Sequence, residues 1–226
     1  MKAKELRLFL KENVDLKYQK FSASLLPGVT DLWGVRLPVL RRIAKKIAKE
    51  GNVDLLKSSL KKPCFEERMV LGMAIGYLPW DDIFLEKYVE PYIPLIDNWS
   101  ICDSFCVGLK QVAKNQEETW HFLQKYFKSD LEYEVRFAVV LSLFYFLTDS
   151  YFSLVLDQLA LIHQEDYYAQ MAIAWAIAKA YAVSPEVTKK WIKKTKIKQE
   201  ILKKALQKIR DSLVTKSSAS AFECLI

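Results

Sequence analysis

The chain has 226 residues, enough for one large domain or two small ones with a full core, and 51% hydrophobic against 27% charged residues excludes a disordered segment. Six Gly and seven Pro leave little turn material for a many-stranded fold, so an all-α protein is expected. The net charge of +7 is concentrated: residues 186–216 hold eleven Lys or Arg against three acids, and everything else sums to minus one.

Residues 1–26 carry one or two amphipathic helices, marked by Leu6, Leu8, Phe9 and Leu10 and then by Tyr18, Phe21, Leu25 and Leu26, and Pro27-Gly28 breaks them. Trp33-Gly34-Val35-Arg36-Leu37-Pro38 reads as a turn into a helix ending at Glu50. That helix carries a second basic stretch: Arg41, Arg42, Lys45, Lys46 and Lys49 follow Arg36. Gly51-Asn52 stops it, and a short helix follows over 54–61. The start mixes acids and bases and has no continuous apolar run of the secretory kind. The longest apolar run, 137–147, is interrupted by Ser142 and is too short to cross a bilayer, so no membrane segment is expected. Cys64, Cys102, Cys106 and Cys224 have neither paired spacing nor a nearby histidine to complete a zinc site. Cys102 and Cys106, one helical turn apart, are expected as small buried hydrophobes. A cytoplasmic, reduced protein fits this usage.

From Pro63 the chain repeats. Arg68, Asp103, Arg136, Met171 and Lys204 fall in one column at spacings of 35, 33, 35 and 33, and similar apolar residues follow each of them. Second helices are expected at 82–92, 117–126, 151–161 and 186–194, with breaks at Pro79, Asn115, 148–150 and Ser184-Pro185. A period near 34 made of two helices marks an α-solenoid, because each pair buries its apolar face only against its neighbours. HEAT-like pairs fit better than tetratricopeptide repeats, whose small-residue signature is missing. The expected architecture is therefore a single all-α domain over 1–226: N-terminal helices to residue 62, repeats over 63–210, and a tail over 217–226 of unassigned role.

Equivalent positions of a solenoid share one surface, so the column should line one wall of a concave groove. In Asn98-Trp99-Ser100-Ile101-Cys102-Asp103, the aromatic and the carboxylate stand one turn apart on one helix face. Trp175 lies one turn after the column. A carboxylate in such apolar company is costly unless something pairs with it or uses it. Each residue also has a plainer reading: the tryptophans as packing, Asp103 as a salt-bridge partner of Arg136, and Asp97 or Asn98 as a helix cap. His121 and His163 are expected alone on outer helices and receive no chemistry. Two basic ends around an acidic middle suit a surface that grips a polyanion, or else are two solvated helix faces.

The segments Asn98-Trp99-Ser100-Ile101-Cys102-Asp103-Ser104, Glu134-Val135-Arg136-Phe137-Ala138, Gln170-Met171-Ala172-Ile173-Ala174-Trp175 and Lys204-Ala205-Leu206-Gln207-Lys208-Ile209-Arg210, in that order, resemble the HEAT-like-repeat DNA glycosylases of the DNA alkylation repair group. The resemblance implies excision of positively charged N3- and N7-alkylated purines from double-stranded DNA lying in the concave basic cleft, without flipping the base into a pocket. Trp99 and Trp175 would pack against the deoxyribose of the lesion, with Asp103 as the third catalytic residue. Arg136 would hold a nearby phosphate, and Lys204, Lys208, Arg68, Arg41 and Arg42 would line the DNA-binding surface. It implies no metal or cofactor. Phe137, where the family commonly has a small residue, is positioned to narrow the cleft. Two rivals stand beside the enzyme: a catalytically silent DNA-binding relative, and a protein-interaction scaffold. A monomer is expected in each case.

Overall fold

A computed structural model describes residues 1–225, which are helical throughout with no β-strand among them; a lone bridge pairs Val14 with Val35. None of the helices among these residues is long and apolar enough to cross a membrane. Contacts cluster into two compact units, Met1–Gln111 and the residues from Val112 onward.

The first unit contains α1 (Ala3–Glu12), α2 (Leu16–Leu25), α3 (Leu37–Lys49), α4 (Val53–Ser59), α5 (Phe65–Ile75) and α6 (Trp99–Gly108). The breaks fall where the sequence places them: Pro27-Gly28 follows α2, and Gly51 takes a left-handed φ of 67° after α3. Helix α5 is the centre of the unit and packs against α1, α3, α4 and α6. Every residue of it except Arg68 is buried, Glu66 and Glu67 included. Each buried carboxylate therefore needs partners. Glu67 finds them in Arg7 of α1, which donates from Nε at 2.6 Å and from Nη2 at 3.1 Å. It also accepts from the Cys64 N–H at 2.9 Å, capping α5.

The expected helix over 82–92 is instead a π-helical turn, Leu85–Val89, followed by the 3-10 turn Ile93–Leu95. Pro91 and Pro94 explain the difference, since neither can donate to an α-helical ladder. The Lys87 carbonyl, which Pro91 cannot serve, accepts from Lys57 Nζ at 2.6 Å. The irregular segment brings the hydroxyl end of Tyr92 against α5. Its hydroxyl donates to the Arg68 carbonyl at 2.8 Å, over Gly72, where an added Cβ would collide with the phenol.

The second unit contains α7 (Gln116–Phe127), α8 (Glu132–Tyr145), α9 (Phe152–Leu161), α10 (Tyr167–Val183), α11 (Pro185–Lys194), α12 (Gln199–Asp211) and α13 (Ala219–Glu223). Helices α7, α9 and α11 begin and end within one residue of the expected second helices. Helix α10 packs on α8 and on α12, so three helices of the column lie side by side, with α7 against α8 and α11 against α10. The column residues occupy the second turn of every helix that carries them: Arg68 in α5, Asp103 in α6, Arg136 in α8, Met171 in α10 and Lys204 in α12. The repeat register read from spacing is thus a register of helix positions.

Candidate functional site

Helix α6 presents Trp99 as its first residue and Asp103 one turn later, both half-buried. Its start is fixed by Asn98, whose Oδ1 accepts from the Ile101 N–H at 3.0 Å, so the cap reading of Asn98 and the presentation of Trp99 hold together. Asn98 in turn donates from Nδ2 to Asp97 at 2.8 Å. Asp97 pairs with Arg68 at 3.2 Å, and Arg68 pairs with Asp31 at 3.1 Å. This relay runs from the loop before α3, through α5, to the first turn of α6. Cys102 and Cys106, on the opposite side of α6 from solvent, are fully buried.

The Trp99 indole N–H donates to the Leu25 carbonyl at 3.1 Å, at the end of α2. Beside it lies a cavity of about 170 Å³ bordered by Tyr18, Phe21 and Leu25 of α2, by Leu40 of α3 and by Glu66. Helix α2 has no buried residue; Leu16 and Phe21 are largely in solvent. It is held instead by polar ties. Its capping residue Asp15 pairs with Arg36 at 2.8 Å, and Gln19 donates to the Leu32 carbonyl at 2.8 Å. Gly34 lies against this helix with φ of 91°, and a Cβ there would come within 2.8 Å of the Asp15 carbonyl.

Glu66 closes the floor of the cavity. Its carboxylate accepts from the N–H groups of Trp33, Gly34 and Val35, at 2.7 to 3.3 Å. Burial lifts its pKa above the ordinary carboxylate value, and those N–H bonds offset part of the rise. Sequence reading assigned nothing to Glu66, because its burial depends on the helices around α5 rather than on any local pattern.

In the second unit, Trp175 is half-buried on α10 and meets Phe144 of α8 edge-on at 5.6 Å. A cavity of about 330 Å³ opens beside it, bordered by Lys179, Lys208, Asp211 and Val214. Lys204 donates to Gln170 Oε1 at 3.0 Å and sits over the Tyr167 ring at 5.4 Å. Tyr167 meets Tyr168 edge-on, and Tyr168 stacks on Tyr133, so the first turns of α8 and α10 carry an aromatic ledge that ends at a lysine. Sequence reading assigned nothing to these tyrosines, because Tyr133 and Tyr168 meet only through the packing of α8 on α10.

The proposed DNA-contacting cations differ in their surroundings. Arg41 and Arg42 are exposed on α3 and form no ion pair among the described residues. Arg68 is mostly buried between two carboxylates. Arg136 is 5% exposed and donates from Nη1 to the Tyr168 carbonyl at 2.8 Å. Phe137 does not line an open surface, contrary to expectation. Helix α8 is buried continuously from Val135 to Leu143, and Phe137 packs edge-on against Tyr126 at 5.6 Å. His163 lies in the loop after α9 rather than on a helix. No cluster of metal-ligating side chains occurs among the described residues.

Residues 6–209 match the family profile described as DNA alkylation repair enzyme. The chain belongs to that family. No curated protein and no solved structure matches it. For a DNA alkylation repair protein, DNA is the partner that membership points to. The family match spans α6 and α10, so the half-buried tryptophans and Asp103 fall inside the matched residues.

Proposed function

We propose that the chain is a monofunctional DNA N-glycosylase acting on purines alkylated at N3 or N7. The reading rests on one observation joined to the family match: a tryptophan and a carboxylate stand one turn apart on α6, both half-buried and held in place by a capped helix start. The proposal includes the fold in its finer form, a single HEAT-like solenoid domain, monomeric, with duplex DNA in a concave cleft.

An alkylated purine of this kind carries a positive charge and leaves readily. The C1′–N bond breaks with its electron pair passing to the base, which departs neutral, and the deoxyribose takes up the positive charge. In the proposal the indole faces of Trp99 and Trp175 serve this one sugar. A cation against an indole contributes roughly 0.5–2 kcal/mol. The Asp103 carboxylate stabilises the same charge and orients a water. As the new C1′–O bond forms, the water's proton passes to the carboxylate and then to solvent. Preorganised charge of this kind is commonly worth on the order of a hundredfold or more in rate.

Arg41, Arg42, Lys204 and Lys208 are the cations assigned to phosphates. Arg136 keeps the assignment to the phosphate nearest the lesion that the resemblance implies, although it is 5% exposed and one of its N–H groups is committed to the Tyr168 carbonyl. Arg68 contributes by fixing α6 through Asp97.

The deciding experiment is release of 7-methylguanine from methylated duplex DNA, with Asp103→Asn in parallel. Release above the spontaneous rate, lost in the variant, supports the enzyme and the role of the carboxylate together. Duplex binding without release makes the chain a silent DNA-binding relative. Binding that is absent at moderate salt returns it to the scaffold class.

A further inference from the structure

The segment after α12 displays two aliphatic side chains almost wholly in water. Leu213 is 100% exposed and Val214 is 80% exposed, the two highest values among the large hydrophobic residues described. Single exposed aliphatics are ordinary. An adjacent pair at the tip of a tightly tied turn is different, because the turn offers them no collapsed alternative.

The ties are specific. The Ser212 N–H donates to the Ile209 carbonyl, and the Lys216 N–H donates to the Ser212 carbonyl at 3.0 Å. The Val214 N–H donates to Ser212 Oγ at 3.2 Å, and the buried Thr215 hydroxyl donates back to the Ile209 carbonyl at 3.1 Å. The tail then returns to the helices. Phe222 is fully buried edge-on to Tyr181 at 5.1 Å, and the Tyr181 hydroxyl donates to the Ser218 carbonyl at 3.1 Å. Arg210 pairs with Glu223 at 2.7 Å. The tail is thus a clasp that holds the Leu213-Val214 turn outward.

The surroundings of the turn indicate its occupant. Val214 borders the cavity beside Trp175, together with Lys179 and Lys208, and Lys216 follows two residues later. The acid in this group, Asp211, accepts from Gln207 Nε2 at 2.8 Å. An apolar tip between lysines suits a groove whose walls are phosphates and whose floor is stacked bases.

We propose that Leu213 and Val214 form an apolar wedge that enters a groove of duplex DNA and loosens the base step beside the nucleotide at Trp175. The proposal rests on the DNA-binding reading above and adds to it a distortion of the duplex. It also gives the C-terminal tail a task, that of stiffening the wedge.

The test uses the full chain and Leu213→Ser/Val214→Ser, whose substituted positions are solvent-exposed; thermal melts verify that both fold alike. The probe is a duplex carrying 2-aminopurine one step from a tetrahydrofuran abasic-site analogue, read by anisotropy for affinity and by fluorescence for unstacking. The wild type is expected to bind with a rise in 2-aminopurine fluorescence. The double variant is expected to bind roughly tenfold more weakly, without the rise, and with an unchanged salt slope because no charge is removed. A wild type that binds with no rise, or a variant that keeps both rise and affinity, overturns the wedge and leaves the DNA reading standing. A wild type that does not bind the duplex overturns both. Binding to phosphatidylserine vesicles that the variant loses, with DNA binding untouched, assigns the turn to a lipid surface and overturns the wedge.

Discussion

Trp99 holds the end of α2 by donating its indole N–H to the Leu25 carbonyl at 3.1 Å. A residue proposed to face the substrate thereby also secures a helix that has no buried residue of its own. Trp99→Phe keeps a ring at the position and removes the donor. A hydrogen bond of this kind contributes about 1 kcal/mol, so amide exchange in residues 16–25 should quicken about fivefold, while α5 stays protected. Equal exchange of α2 in the two proteins would show that its other polar ties suffice.

Arg41 and Arg42 are exposed on α3 and form no ion pair among the described residues. If they neutralise phosphates, each alanine substitution should weaken duplex binding for all sequences alike. It should also reduce the slope of log K against log salt by about 1. Arg68→Ala, which removes a cation already balanced by Asp31 and Asp97, should leave that slope unchanged. A titration at several salt concentrations separates the two classes.

The pair Arg7–Glu67 ties α1 to α5 with the carboxylate fully buried and the guanidinium partly in solvent. Arg7→Ala leaves that carboxylate without its charged partner, held by Cys64 at the start of α5. The loss should be about 2–3 kcal/mol in urea unfolding. Arg7→Lys should recover only part of it, since the bidentate geometry is lost.

Glu66 makes stability depend on pH in a definite direction. Its pKa in the fold lies above the ordinary 4.5, with desolvation the largest cause. The folded protein therefore holds this proton more tightly than the unfolded chain does. The stability it adds is present on the acid side and is lost as pH rises through the folded pKa. The urea midpoint of the wild type, measured relative to Glu66→Gln, should accordingly fall as pH rises from about 4.5 towards neutrality. A difference that stays flat or grows over that range would contradict the assignment.

The thiols should separate by reactivity. Burial pushes the Cys64 pKa up to about 12, whereas Cys224 is exposed. Labelling of the native protein with an alkylating reagent near pH 8 should modify Cys224 and spare Cys64, Cys102 and Cys106. Mass spectrometry of the labelled peptides checks this directly.

The sequence pattern reaches far for the helices and less far for the site. The column from Arg68 to Lys204 was legible because a repeated helical pair spaces its breaks and apolar runs regularly, and those signals are local. The turn at 85–95 was misread because its apolar residues suit a helix, while Pro91 and Pro94 act on hydrogen bonds that a periodicity does not register. Arg68 looked like a surface cation because its two partners, Asp31 and Asp97, lie far off in the chain. Phe137 looked like an obstacle because a continuous apolar run does not reveal which side of α8 faces α7. Glu66 left no trace, since its partners are backbone N–H groups, which every sequence possesses.

The contact of Tyr92 with Gly72 sets a rule for how this chain can change. The phenol occupies the space that any side chain at 72 would fill, and its hydroxyl is tied to the Arg68 carbonyl beneath it. Gly72→Ala alone must expel the ring, and Tyr92→Phe alone removes the tie but not the crowding. Only a smaller residue at 92 makes room for a larger one at 72. Drift in a lineage, or the choices of a protein engineer, should therefore move these two positions as one unit, with the larger residue passing from one to the other.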